Sequence, residues 1–220
     1  MKKNLLFSMV IFVIISVPTA AQEIGLSSGA QLIRGELTAY GNNFTSITSL
    51  SAFWDIPKAR NFRYGAELRY ASMNVSPEFE NSWLDTYESR GSDFSAMLSM
   101  RYYFNTPKYT TKRAQSLLFW THFGAGLHIA QFESVNMGVG PKVGDAIQGD
   151  FNESRTIHTG ALEVGFGAQY YITDRWSMSF SSGGQFTGND YLDGVAGIGN
   201  GKDFPFYMML GGSYLLPNFK

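Results

Sequence analysis

The feature that most constrains this chain is an alternation of period two that returns along almost its whole length. In "FRYGAELRYAS" the residues Phe62, Tyr64, Ala66, Leu68 and Tyr70 alternate with Arg63, Gly65, Glu67 and Arg69. Successive side chains of a strand point to opposite faces, so this stretch is a β-strand with one apolar and one charged face. "DFSAMLSMRYYF" sets Phe94, Ala96, Leu98, Met100, Tyr102 and Phe104 against Asp93, Ser95, Met97, Ser99, Arg101 and Tyr103. "ALEVGFGAQYYI", "RWSMSFSSGGQF" and "FPFYMMLGGSYLL" alternate as clearly. "EIGLSSGAQLI", "SITSLSAFW" and "FWTHFGAGLHIA" do so more faintly. These are eight candidate strands of about nine to thirteen residues, close to what a tilted membrane strand requires. An even count is also what single-chain bacterial barrels show.

Which face is buried depends on the compartment. Lys2 and Lys3 precede the apolar run "LLFSMVIFVIISV", and "PTAAQ" supplies small residues before a cut ahead of Gln22. This is the pattern of a secretory signal peptide over residues 1–21, with the run too short for a typical span of about 20 residues. An uncleaved anchor is the alternative. Residues 22–220 then form one domain, and no later stretch reads as a transmembrane helix. A net charge of -1 gives no basis for nucleic-acid binding, and the absence of cysteine excludes disulfides and thiol-ligated metals. The choice lies between a secreted β-sandwich or lipocalin-like barrel and an inverted barrel in a membrane.

Connections and aromatic residues favour the inverted barrel. Long connections run over 34–43, 73–91, 133–157 and 187–203, alternating with "DIPKARN", "NTPKYTTKRAQ" and "TDR". Short periplasmic turns and long external loops have this order when the N-terminus is periplasmic. Trp54, Phe62, Tyr64, Tyr102, Phe104, Trp120, Tyr170, Trp176 and Tyr214 gather at the short-turn ends, as interfacial aromatics do. Tyr70, Phe94, Phe132, Phe186 and Phe204 form a weaker girdle at the other ends. The reading is an all-β, eight-stranded antiparallel up-and-down transmembrane β-barrel in contact with outer-membrane lipid.

With the apolar faces toward lipid, Arg63, Glu67, Arg69, Asp93, Arg101, His122, His128 and Glu163 line the lumen. Glu67 reaches either flanking arginine, and Arg101 and Asp93 on the next strand are placed to join them. An eight-stranded ring holds little beyond its own side chains, so this is expected to be a salt-bridged filling rather than a pore. A catalytic set would combine His122 or His128 with Ser179 or Ser181 and Glu163, but no spacing singles these out, and the chain is read as a non-enzyme without cofactor. "DAIQGDFNE" lacks calcium-loop spacing, so no metal site is assigned there or at Asp190 and Asp193. "GGSYLL", with Gly211, Tyr214 and Leu216, resembles the C-terminal signal read by the barrel-assembly machinery, although "PNFK" follows it.

"TDRWSMSFSSGGQFTGNDYLDGVAG", residues 173–197, resembles a family of Bacteroidota outer-membrane barrels. The matching positions are Asp174, Arg175 and Trp176, then Asp190, Tyr191, Leu192 and Asp193. Gly188 and Asn189 stand where the family often has Phe-Thr, and "RGELT" is similar to its Gly-Asp-Leu-Asn with Glu36 for Asp. "THFGAGLH" is also similar to the family. The family includes the PorG-like subunit of the type IX secretion system, a non-catalytic barrel that associates with periplasmic proteins. The resemblance thus implies an outer-membrane location and, more weakly, a place in a secretion assembly. The basic turns with Lys58, Arg60, Lys108, Lys112 and Arg113 are the natural docking site for periplasmic secretion-system proteins. Contact with anionic groups of the inner leaflet explains them equally well. A stand-alone surface barrel binding external ligands through its long loops is the competing reading, with a small pore behind it.

Overall fold

The computed structural model describes residues 22–34, 44–56, 59, 61–75, 87–105, 116–136, 153–188 and 204–216. The signal-peptide stretch, Asp190 to Asp193, and Lys58, Arg60, Lys108, Lys112 and Arg113 lie outside them. Eight strands follow in chain order: β1 (Glu23–Arg34), β2 (Phe44–Asp55), β3 (Phe62–Val75), β4 (Tyr87–Tyr103), β5 (Leu117–Asn136), β6 (Glu153–Tyr171), β7 (Trp176–Thr187) and β8 (Phe204–Leu215). Each pairs antiparallel with its sequence neighbours, and β1 pairs with β8 from Glu23↔Leu215 to Arg34↔Phe204, closing the ring. All eight segments expected from the alternation are strands.

The faces are inverted relative to a water-soluble barrel. Leu98 (73% exposed), Leu210 (66%), Leu127 (65%) and Leu26 (62%) point outward. His128 (0%), Glu163 (1%) and Arg69 (3%) point inward. A strand of 12 residues such as β1 runs about 40 Å, or about 30 Å in height at a barrel tilt near 40°. That height matches the hydrocarbon core of a bilayer.

Three details differ from the sequence reading. First, β4, β5 and β6 reach 17, 20 and 19 residues, well beyond the nine to thirteen expected. The apolar alternation marks only the part that would face lipid. Hairpin pairing continues above it, so much of 73–91 and 133–157 is strand. Second, connection lengths therefore alternate less cleanly, with 104–116 longer than 35–43 or 76–86. Third, Trp120 is not in the aromatic girdle. It is 1% exposed, because its position in β5 has inward parity with His122.

The other short-turn aromatics do form the girdle: Trp54 stacks on Tyr64 at 5.4 Å, Phe62 meets Tyr102 at 5.0 Å, and Trp176 meets Tyr214 at 4.7 Å. The β6–β7 turn is held by Thr173, whose Oγ1 accepts from the backbone N–H of Trp176 at 2.9 Å.

Inside, large side chains lie over glycines directly opposite on the next strand. Phe53 faces Gly65, Trp120 faces Gly167, and His122 faces Gly165. A Cβ on Gly167 would stand 2.2 Å from Trp120 Cζ2 and 2.5 Å from the Phe180 carbonyl oxygen, which leaves no room for one. On the outer face of Gly160, by contrast, a Cβ meets nothing within 4 Å. Gly167→Val is therefore expected to destabilise the barrel by about 1–3 kcal/mol through overpacking. Gly160→Ala should leave it within about 0.5 kcal/mol of the parent. Urea midpoints of the barrels folded into phosphatidylcholine vesicles measure both, and equal midpoints would refute the packing argument.

Candidate functional site

Alternation sends Glu23, Gln31, Ser49, Arg63, Glu67, Arg69, Asp93, His122, His128, Glu163, Gln169, Gln185 and Ser213 into the ring, and all are buried. Burying a charge without a partner is costly, so each ionised group needs partners within the ring. The side chains sort into three levels.

Nearest the short turns, Glu23 accepts from Arg63 Nη1 at 2.5 Å and from Gln169 Nε2 and Ser213 Oγ, both at 2.7 Å. Arg63 Nε also reaches Asp55 Oδ1 at 2.5 Å.

At mid-height, Glu163 is the centre. Arg69 grips it through both terminal nitrogens, Nη1 to Oε2 and Nη2 to Oε1, the latter at 2.8 Å. Tyr207 donates its hydroxyl to Glu163 Oε1 at 2.7 Å, and His122 Nε2 stands 2.6 Å from the same oxygen. Gln185 Nε2 donates to Oε2 at 3.0 Å. Arg69 also holds Glu67 at 2.9 Å, and Ser49 donates to Glu67 at 2.7 Å.

Toward the loop end, Asp93 accepts from Gln31 Nε2 at 3.1 Å. His128 Nε2 lies 3.0 Å from Asp93 Oδ1, close but not aligned for a hydrogen bond.

The expected lumen residues are thus brought together, but with different partners. Glu67 takes Arg69 and not Arg63, which turns to Glu23 and Asp55. Arg101 does not join Asp93. Its guanidinium lies between the Phe53 and Trp120 rings, 3.6 and 4.2 Å from their centroids. Such sandwiching suits a planar, weakly hydrated cation. Glu23, Gln169, Gln185, Asp55 and Tyr207 were not singled out in sequence, although the parity of their own strands placed them inward. Alternation gives the face of a residue, not its partner across the ring.

The same geometry bears on chemistry. His122 and Glu163 are adjacent, but both are buried, and His122 Nε2 also faces the Tyr207 hydroxyl at 2.9 Å. Among the described residues, neither Ser179 nor Ser181 hydrogen-bonds to a histidine, and no cluster of three or more His, Asp or Glu is arranged to hold a metal ion. What the arrangement does is fill the ring and pair Arg63 and Arg69 with carboxylates inside it.

No family model and no curated protein matches the chain. Among solved structures, Neisserial surface protein A (NspA) superposes with a TM-score of 0.53 at 11% identity, covering 88% of this chain and 96% of that one. A major outer membrane protein from Thermus thermophilus gives 0.51 at 12% identity, covering 88% and 99%. At these identities the likeness shows the fold: a closed eight-stranded barrel of the outer-membrane kind.

Removing one partner from a buried ion pair leaves a charge exposed to low dielectric, at a cost of about 3–5 kcal/mol. Glu163→Ala should lose about that much stability, since Arg69, Tyr207, Gln185 and His122 all lose an acceptor. Arg101→Leu should cost less, about 1–2 kcal/mol, because its contacts are rings. Urea titration of the two variants in vesicles checks the order, and an inverted order would overturn the partner assignment.

Proposed function

We propose that this chain is a non-enzymatic outer-membrane barrel, exported by a signal peptide cleaved after residue 21, with a structural or docking role. The observation that carries the reading is the inversion: a belt of exposed Leu, Phe and Met around a closed ring whose interior is charged and buried. In water that belt would be an aggregation surface; in a bilayer it is the solvated face. The filled interior supports a strut over a conduit, so a small pore is the least favoured reading.

Its finer form is a component of a type IX secretion assembly, PorG-like, docking through its periplasmic turns. The resemblance over residues 173–197 supports this, as do the basic residues of the short turns. A stand-alone surface barrel is the second reading, favoured by the rise of β4, β5 and β6 beyond the shorter strands at the loop end. On this reading the taller wall would stand on the external side, where a ligand could meet it. In either case the "GGSYLL" pattern is the point at which the barrel-assembly machinery would engage the chain.

Topology and partnership are tested together. Asn81→Cys and Asp145→Cys should react with an impermeant maleimide in intact cells, and Lys108→Cys only after permeabilisation. Reaction of Lys108→Cys in intact cells would reverse the orientation. Reversing charge at Lys108, Lys112 and Arg113 should abolish co-purification of a periplasmic partner from detergent extract. A parent barrel that captures no such partner excludes the secretion role and leaves the surface reading.

A further inference from the structure

Outward side chains on the three longest strands change character at one level. Pairing aligns them in rows: Phe94, Ile129 and His158 form one, which carries two large apolar groups. The next two rows are Ser92–Gln131–Thr156 and Arg90–Glu133–Ser154, polar throughout. Those six residues, with Gly91 between them, line a shallow, largely open groove of about 430 Å³ on the outer wall.

Depth and chemistry together indicate an occupant. Each row climbs about 7 Å along the strand, or about 5 Å in height at a barrel tilt. The two polar rows therefore stand about 5 and about 10 Å above that apolar row. The headgroup layer of a bilayer is about 5–7 Å thick on each side of its hydrocarbon core, so the first polar row lies within it and the second just beyond, at the level of a sugar attached to the lipid. The lining offers hydroxyls, an amide, one guanidinium and one carboxylate, with formal charges that cancel. A bare anion would meet Glu133. A polyhydroxylated ring both donates and accepts, and so matches such a mixed set.

We propose that this groove binds the saccharide headgroup of a glycolipid in the surrounding leaflet, with the acyl chains lying against the apolar belt below. The proposal rests on the membrane reading above. It makes the tall β4–β6 wall a lipid-selecting surface.

The test places the purified full chain in phosphatidylcholine nanodiscs containing a small fraction of monoglucosyl diacylglycerol, an uncharged glycolipid, or of phosphatidylglycerol for comparison. Lipid retained per barrel is counted by native mass spectrometry. The glycolipid should be retained in preference to phosphatidylglycerol, and the double variant Gln131→Ala, Thr156→Val should lose about tenfold in retention. Unchanged migration of folded, unheated barrel on a gel shows that the variant is intact. If it misfolds, Glu133→Ala at an exposed position gives the same readout. Equal retention by parent and variant overturns the proposal. Equal retention of phosphatidylglycerol does so too, by showing that the sugar is not what is recognised. Binding of soluble methyl glucoside as tight as that of the glycolipid would remove the leaflet as the source. A chain that never enters nanodiscs overturns the membrane reading and the proposal with it, whereas insertion without glycolipid preference overturns the proposal alone.

Discussion

Ring closure is the constraint on which the rest of this structure depends. In hydrocarbon an unpaired peptide N–H or C=O has no water to turn to, and each costs several kcal/mol. The pairing of β1 with β8 along their whole length removes the last open edges between the first and last strands. With eight strands the ring is only as wide as the side chains that fill it. Closure thus sets the interior volume, and volume sets which residues can face each other. Trp120 fits because Gly167 is opposite it, and Phe53 fits because Gly65 is.

Closure also makes the charges interdependent. Arg69 on β3 grips Glu163 on β6, while Arg63 on β3 grips Glu23 on β1. These bonds cross the ring rather than follow a ladder, and they tie together strands that share no backbone hydrogen bond. Buried ion pairs are weak evidence of stability. Here they bear on register. A one-residue slip of β6 would turn Glu163 and Gln169 outward and bring Leu162 and Val164 into contact with Arg69. The outer belt penalises the same slip from its own side, so both faces enforce one alignment.

This is why the fold was legible in the sequence while the lumen was legible only in part. Alternation is a local property, and eight alternating runs with turn residues between them leave few closed arrangements. Arg63, Glu67, Arg69, Asp93, His122, His128 and Glu163, on the charged faces of their strands, are buried. Partners across the ring depend on shear and side-chain length, which a single strand does not carry. Glu67 was given two arginines by its neighbours along the strand, yet Glu23, distant in sequence, claims one of them. Trp120 shows the opposite error: residue type argued for the interface, and parity, the stronger local constraint, put it inside. The extra length of β4 to β6 was hidden because pairing above the belt needs no apolar alternation.

A sealed interior moves function to the surfaces that vary. Belt and filling serve the same ends in any small barrel of this kind, with one face satisfied by lipid and the other by the ring. The wall of this barrel is asymmetric: β1, β2, β7 and β8 have 12 residues each, and β4 to β6 have 17 to 20. Extending a strand beyond its neighbour forgoes backbone bonds on that side, a cost that bare structural service does not explain. β6 above Ala161 pairs with β5 but not with β7 among the described residues. The same three strands carry the polar rows and the groove. Length, polarity and concavity coincide on one side of the barrel, and a surface that combines them is better suited to recognition than the symmetric remainder of the wall.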